Sequence, residues 1–273
     1  MSVIPSYHLR SDDAEIVYWI LGDGPPVVLL HPFPAHHEFW LPVAEQLSSR
    51  YRLVLPDLRG HGESEIGEGP ATMAKHAGDL VRVLDDAQLG RVPLIGVSIG
   101  GYILFEVWRK HPARVRALGL ANTKAPADNA AGRAQRLEAA NDVLERGTEG
   151  FLESMASRVL AKSTQETRPD LVQGALRMMR QMSPEDIAEV QRGMAERPDS
   201  IPTLKTINVA TLIVTGDEDL STGVNEAELM RQHIGGSQLR VIAKAGHYSP
   251  WEQPAEAAAI FGQFLDSLPR WRN

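Results

Sequence analysis

The sequence predicts an α/β fold with a mostly parallel central sheet, helices on its faces and one inserted helical segment. Short aliphatic runs bounded by turn residues alternate with longer segments of helical periodicity, which is typical of a parallel sheet with helical crossovers. Between residues 132 and 206 no strand pattern occurs. A chain of 273 residues is long enough for one α/β domain with such an insertion.

The strands and helices can be placed in order along the chain. Segment 27–30 is aliphatic throughout, as expected of a strand that is buried on both faces. The turn Gly22-Asp23-Gly24-Pro25-Pro26 separates it from the strand before it. The predicted strands are 15–21, 27–30, 52–55, 92–97, 117–121, 211–215 and 239–242, and the predicted helices outside the insert are 38–49, 73–84, 99–110 and 254–268.

The insert contains only helical patterns. These are interrupted at Gly147 and at three X-Pro steps, and a proline disfavours helix in the residue before it. Ser183-Pro184-Glu185-Asp186 has the composition of a helix start, with an N-cap serine, proline at the first position and acids in the first turn. We therefore expect a core formed by residues 1–121 and 207–273 and a helical cap formed by residues 122–206.

Composition excludes several classes of function. The chain has no cysteine, which excludes disulfides, thiol catalysis and cysteine-ligated metal centres. A net charge of −7 without any Lys/Arg-rich run argues against a nucleic-acid partner. No apolar stretch has the length of a membrane span or a signal peptide, so we expect no membrane partner and a cytoplasmic location. Trp271, near the C-terminus, is expected to be exposed.

We also expect no metal ion and no cofactor. His31, His36 and His37 lie close together in the sequence, but adjacent residues of a strand point to opposite faces, and no His-x-His-x-Asp-His cluster occurs. Neither a dinucleotide-binding Gly-x-Gly-x-x-Gly nor a phosphate-loop signature is present.

A candidate nucleophile stands in the segment Gly96-Val97-Ser98-Ile99-Gly100-Gly101. It follows a buried strand directly and opens an apolar helix, which is the strand–turn–helix context of a nucleophile elbow. Such a turn presents the Ser98 hydroxyl at the carboxyl edge of the sheet, beside a helix N-terminus that favours negative charge. The simpler interpretation is a helix-start turn with a capping serine.

A serine hydroxyl needs a base, and the base needs an orienting acid. His247 lies between the last strand and the last helix, so we expect it at the same sheet edge as Ser98. The acids of Gly216-Asp217-Glu218-Asp219 follow another parallel strand at that edge. Serine, acid and histidine thus occur in the chain order found with nucleophile elbows.

These segments together resemble the α/β-hydrolase family over nearly the whole chain. In that family the acid of a Gly-x-x-Asp loop is the fourth residue, which implies Asp219 here, with Asp217 as the alternative. The stretch from Asn122 to Asp128 is similar to members of the 3-oxoadipate enol-lactonase type. The matching motifs are the oxyanion loop Leu30-His31-Pro32-Phe33-Pro34, the turn Asp57-Leu58-Arg59-Gly60-His61-Gly62-Glu63-Ser64, the elbow, the acid loop and the histidine loop Gly246-His247-Tyr248-Ser249-Pro250-Trp251-Glu252-Gln253-Pro254.

The resemblance also implies an oxyanion hole and a pocket. Ile99, the residue after the nucleophile, would supply one backbone N–H, and the family's loop implies Phe33 for the other. Pro32 departs from the family, where most members have glycine, and this changes the shape expected of the loop. Candidate pocket residues are Trp40, Met155, Met178, Met182 and Trp251; core packing is the alternative for Trp40, and helix packing for the methionines.

The resulting prediction is a cofactor-free serine hydrolase of small carboxylic esters or lactones, with a small to medium, largely apolar substrate beneath the cap. The same residues serve carbon–carbon bond hydrolases, perhydrolases and hydroxynitrile-type lyases, so these remain alternatives. A ligand receptor that retains the triad is an alternative from another class. The sequence does not indicate an oligomeric state.

Overall fold

A sheet of eight strands forms the centre of the molecule, and the computed structural model describes residues 4–269 of the chain. Trp271 lies outside the described residues. The strand order is β1-β2-β4-β3-β5-β6-β7-β8. The first two strands pair antiparallel, β2 is antiparallel to β4, and all later pairs are parallel. The strands are β1 (Ser6–Ser11), β2 (Ala14–Leu21), β3 (Pro26–Leu30), β4 (Arg52–Pro56), β5 (Val92–Val97), β6 (Val115–Ala121), β7 (Ala210–Gly216) and β8 (Gln238–Ile242).

Helices cover the sheet and fill the insert. Those outside the insert are α1 (Leu41–Leu47), α2 (Met73–Asp86), α3 (Ile99–Lys110), α10 (Val224–His233), α11 (Ser249–Glu252) and α12 (Pro254–Ser267). Those between β6 and β7 are α4 (Ala130–Arg146), α5 (Glu149–Val159), α6 (Lys162–Thr167), α7 (Pro169–Met179), α8 (Pro184–Ala195) and α9 (Ile201–Leu204). The α/β architecture predicted from the sequence, with a mostly parallel sheet flanked by helices and a helical insert, is confirmed.

Among the elements that were not predicted, strand β1 and helix α10 lack an apolar pattern. Strand β1 lies at the edge of the sheet and is exposed along most of its length, so it carries no hydrophobic alternation. Helix α10 buries only Ala227 and Met230 among its side chains. The predicted helix 38–49 is divided into a 3₁₀ turn, His37–Trp40, and α1, because Pro42 fits the start of a new helix and not the interior of a longer one.

The core is built from strands that are apolar on both faces. Every residue of β3 and β5 is buried, which explains why segment 27–30 is aliphatic throughout and why segment 92–97 contains no polar residue. Helix α3 buries ten consecutive residues, Ile99 to Trp108, and packs against β5 and β6. The site at the start of this helix therefore rests on the most deeply buried elements of the fold.

The helical segment begins later than the cap boundary predicted at residue 122. Residues 122–129 contain no helix, and the Asn122 N–H donates to the carbonyl of Val214 in the core sheet, at 2.8 Å. Within the insert, α4 packs against α8 and α5 against α7. The Ser183 N-cap forms a full capping box with Asp186 at the start of α8.

Among residues 4–269, no helix combines the length and the apolar character needed to cross a membrane.

Candidate active site

Ser98 occupies a sharp turn between β5 and α3. Its backbone has φ +55° and ψ −113°, a conformation that non-glycine residues rarely adopt. Its N–H donates to the Ala121 carbonyl at 3.0 Å, and the Thr123 hydroxyl donates to the Ser98 carbonyl at 2.8 Å. The end of strand β6 and the segment that follows it thus hold both backbone groups of the strained residue.

Gly96 and Gly100 of the elbow are required because neighbouring backbone segments lie very close to them. A Cβ placed on Gly96 would lie 2.5 Å from the backbone carbon of Gly100. A Cβ on Gly100 would lie 2.9 Å from the carbonyl oxygen of Leu30 in β3. Real Cβ atoms do not come this close to backbone, so strand, turn and helix can meet here only if these positions are glycine.

Asp219 and His247 form a buried pair. His247 Nδ1 lies 3.0 Å from Asp219 Oδ2, and both side chains are almost wholly shielded from solvent. A carboxylate at Nδ1 fixes the proton on that nitrogen and leaves Nε2 as an acceptor. Asp217 instead accepts from the Ala245 N–H at 3.3 Å, and Glu218 accepts from the Ser163 hydroxyl at 2.6 Å.

Five contacts hold the Asp219 carboxylate in its ionised form. Its Oδ1 accepts from the backbone N–H groups of Ser221 and Thr222, at 2.8 and 3.0 Å. Its Oδ2 accepts from Asn122 Nδ2 at 2.9 Å and from the Thr222 hydroxyl at 2.8 Å, in addition to His247. Burial alone would raise the pKa of Asp219, but its interaction with His247 and with these donors outweighs burial and lowers its pKa well below the usual range.

Asn122 joins three segments of the site. Besides Asp219, its amide donates to the Gly246 carbonyl at 3.1 Å and accepts from the Ser249 hydroxyl at 2.5 Å. Asn122 is fully buried and has φ +42°, a conformation that asparagine tolerates better than most residues. Our sequence reasoning missed this role, although the residue directly follows a strand at the same edge as Ser98.

Ser98 and His247 line the same cavity. No hydrogen bond joins the Ser98 hydroxyl to His247 within the part of the chain that the structure describes. Contacts of this kind commonly tighten only when substrate binds. Within residues 4–269, the backbone N–H groups of Phe33 and Ile99 also make no hydrogen bond, so both predicted oxyanion donors are available.

The loop after β3 is fixed by His31. Its Nδ1 lies 3.0 Å from the Pro32 carbonyl, and its Nε2 accepts from the Leu58 N–H at 2.9 Å. Burial lowers the pKa of His31 well below its ordinary value, so the imidazole is neutral. The Phe33 carbonyl in turn accepts from the Tyr248 hydroxyl at 3.2 Å. Pro32 takes part in this arrangement, because its carbonyl accepts from the Ala35 N–H at 3.0 Å and lies beside His31.

His36, His37 and Asp57 bring three potential metal-ligand atoms within 4.8 Å of one another. The Asp57 carboxylate, however, already accepts from the His37 N–H at 2.6 Å and the Glu63 N–H at 2.9 Å. His37 Nδ1 lies 3.0 Å from the same carboxylate. The cluster thus closes the turn that follows β4.

The cavity differs from the predicted pocket in several residues. It has a volume of about 360 Å³, and Met155 lines it, as do Phe33 and the unpredicted Phe151 and Met194. Trp40, Met178, Met182 and Trp251 are not among its lining residues. Trp40 packs against Phe39 and Phe261 in the core, the two methionines are buried among the cap helices, and Trp251 donates to the Leu171 carbonyl at 3.3 Å.

The lining is also more polar than the largely apolar pocket that we predicted. Lys124, Arg136 and Arg158 contribute to it, together with Asp128, Gln135 and Gln191. These residues come from the segment before α4 and from three different cap helices, so their convergence required the tertiary structure.

Glu252 connects the cap to the histidine loop. Its two carboxylate oxygens accept from the N–H groups of Ala161 and Gly246, each at 2.8 Å. A Cβ on Gly246 would lie 2.5 Å from the Ala161 nitrogen, so the two backbones pack closely. Burial raises the pKa of Glu252. Glu252 therefore links Gly246, the residue before His247, to the cap residue Ala161.

Comparison with known proteins agrees with this architecture. The family described as the alpha/beta hydrolase fold matches residues 25–254. The 3-oxoadipate enol-lactonase 1 of Acinetobacter baylyi is 28% identical over 246 residues, which cover 90% of each chain. Among solved structures, a thermophilic esterase from Thermogutta terrifontis, described with malate bound, is 32% identical with a TM-score of 0.93, covering 97% of this chain and 99% of that one.

A hydrolase from Pseudomonas aeruginosa is 25% identical with a TM-score of 0.89, covering 96% of this chain and 98% of that one. The relatives support hydrolase activity, while their different names show that the family does not determine one substrate. From the matched length and the fold, the chain belongs to the α/β-hydrolase family.

Proposed function

We propose that the chain is a cofactor-free serine hydrolase of small carboxylic esters or lactones. Ser98 is the nucleophile, His247 the general base and Asp219 the orienting acid. The observation that carries this proposal is the buried Asp219–His247 pair, whose histidine lines the same cavity as a serine held at φ +55° at the start of a helix. The enol-lactonase and esterase relatives support the substrate class.

In the acylation step, Ser98 Oγ attacks the ester carbonyl while His247 Nε2 accepts the serine proton. The positive imidazole is stabilised by Asp219, which stays ionised because its donors lower its pKa. Negative charge on the former carbonyl oxygen is met by the free N–H groups of Phe33 and Ile99. The imidazole then returns the proton to the leaving alcohol.

In the deacylation step, His247 accepts a proton from water as that water attacks the acyl-serine. Collapse of the second tetrahedral intermediate releases the carboxylic acid and returns the proton to Ser98 Oγ. For a lactone the alcohol and the acid belong to one product molecule. Every proton transfer uses His247 Nε2, because the Nδ1 proton is engaged by Asp219.

Hydrolysis of p-nitrophenyl acetate and butyrate by the wild type and the Ser98→Ala variant tests the nucleophile. We expect loss of kcat/KM by several orders of magnitude in Ser98→Ala, as is typical when a triad nucleophile is removed. Ser157→Ala is the matched control, since Ser157 lies on the outer face of α5 and donates to the Ser154 carbonyl. Full activity in Ser98→Ala would show the nucleophile assignment to be wrong.

A further inference from the structure

We infer that the preferred substrate carries a second, ionised carboxylate that does not react, and that Arg158 is the residue that selects it. This inference rests on the proposed function, because it concerns the same cavity. It comes from the charges that the cap places around the space in front of Ser98 and His247.

The cavity contains more positive than negative charge. Lys124, Arg136 and Arg158 line it, and Asp128 is the one acidic residue among the lining side chains. Asp128 is shared: it contacts Lys124 at 3.3 Å, Arg136 at 2.6 Å and Arg197, just outside the lining, at 2.8 Å. One carboxylate cannot neutralise three cations. The chain as a whole has a net charge of −7, so this positive surface is opposite in sign to the rest of the molecule.

The polar groups of Arg136 are largely occupied. Its Nε donates to Asp128 at 2.6 Å, and its Nη1 contacts Gln191 Oε1 at 3.0 Å and the Met194 sulfur at 3.5 Å. These contacts fix the guanidinium as part of the cavity wall. Arg136 contributes charge to the cavity, but most of its donors are not available to a ligand.

Arg158, in contrast to Arg136, has donors that are free to bind a ligand. Its Nε donates to the Ser154 carbonyl at 3.3 Å, and within residues 4–269 its two terminal nitrogens make no hydrogen bond and no ion pair. Two parallel N–H groups of a guanidinium match the two oxygens of a carboxylate. Arg158 precedes Val159, whose carbonyl accepts from the Tyr248 N–H at 3.1 Å, so the arginine is linked to the histidine loop.

The chemistry of the cavity thus fits an ester or lactone with a carboxylate at its far end. The ester carbonyl would lie at Ser98, and the second carboxylate would meet the free face of Arg158 and the excess charge of Lys124. A neutral substrate would leave Arg158 without a counter-charge inside the cavity. We expect anionic substrates to be preferred through kcat/KM.

Matched substrates that differ only in charge test this inference. The monoethyl esters of succinic, glutaric and adipic acid are compared with their ω-amides, which have nearly the same shape and no charge, by measuring ethanol release. We expect the best monoethyl ester to exceed its amide partner by about tenfold or more in kcat/KM, as a charge-assisted contact provides.

Variants of Arg158 test whether this residue causes the preference for the acid ester over its amide. Arg158→Gln should bring the ratio of acid to amide close to one, and Arg158→Lys should restore part of it, since lysine keeps the charge without the planar fork. Arg133→Gln, which removes an equal charge from α4 outside the cavity, should keep the wild-type ratio. Equal rates for acid and amide in the wild type, or equal effects of Arg158→Gln and Arg133→Gln, would overturn the inference.

The outcomes separate this inference from the proposed function. Suppose that the wild type hydrolyses the acid ester and its amide partner at equal rates, and that the Ser98→Ala variant hydrolyses neither. The serine hydrolase assignment then stands and the anionic preference is wrong. Calorimetric titration of the Ser98→Ala variant with the same acid and amide esters gives the comparison without turnover. Tighter binding of the acid supports the inference, and equal binding contradicts it, whatever the catalytic result.

Discussion

Replacing Asn122 should destabilise the fold and impair the site together. Its fully buried amide makes three hydrogen bonds, one to the ionised Asp219 and two to the neutral groups of Gly246 and Ser249. A hydrogen bond to a charged group contributes about 1.5–3 kcal/mol and a neutral one about 0.5–1.5 kcal/mol. Removing all three should therefore lower the free energy of unfolding by about 4 kcal/mol.

Two substitutions separate the hydrogen bonds from the backbone. Asn122→Gly removes the amide and tolerates φ +42°, whereas Asn122→Ala removes the amide and adds about 1–2 kcal/mol of left-handed strain. Urea unfolding followed by tryptophan fluorescence measures the free energy, and kcat/KM for ester hydrolysis measures the site. We expect both variants to lose activity and the alanine variant to be the less stable. If both lie within about 1 kcal/mol of the wild type, the role assigned to Asn122 is refuted.

Three further predictions concern separate parts of the site. Asp219→Asn should reduce kcat by about 10³–10⁴-fold in the ester assay, because an amide cannot hold the Nδ1–H tautomer of His247; a loss below about tenfold would contradict the pairing. Glu252→Gln should lower the free energy of unfolding by about 1–3 kcal/mol in urea, because one of two backbone N–H groups then faces an amide donor; unchanged stability would contradict the link between cap and histidine loop. Burial lowers the pKa of His61 from 6.5 to about 4, so the unfolded chain binds a proton that the folded chain does not, and stability is lost as the pH falls from 6.5 toward 4, by about 3 kcal/mol in total. His61→Asn should reduce this slope by up to about 1.4 kcal/mol per pH unit, and an unchanged slope between pH 4 and 6.5 would contradict the assignment.

The sheet could be predicted from the sequence because its central strands are buried on both faces. An uninterrupted aliphatic run such as 27–30 indicates a strand buried on both faces, and the elbow is recognisable because glycine is required at positions 96 and 100. Strand β1 was missed for the opposite reason, since an exposed edge strand has no apolar alternation. Helix α10 was missed for a similar reason, because it buries only two side chains and therefore has no clear apolar face.

The pocket could be predicted only in part. Met155 lines the cavity, but Met178 and Met182 pack between helices, and nothing in their spacing distinguishes a methionine in the core from one at a cavity. The cationic lining depends on how α4, α5 and α8 pack together, which is tertiary information. Lys124 and Arg158 are 34 positions apart in the sequence and share one cavity only in the folded cap.

The role of Asn122 illustrates a third limit. The sequence places Asn122 directly after a predicted strand, but its partners Asp219, Gly246 and Ser249 lie in segments about 100 or more residues further along the chain. Several segments meet at the carboxyl edge of a parallel sheet, and sequence order alone does not say which side chains pair there. Hydrogen-bond partners at this edge therefore required the structure.

The most direct test of the central claim is covalent labelling of the intact protein with a fluorophosphonate, followed by mass measurement and peptide mapping. We expect one adduct, located on Ser98, whose formation slows by orders of magnitude in His247→Gln and is unaffected in Ser157→Ala. An adduct at another residue, or undiminished labelling of the His247→Gln variant, would contradict the proposed triad.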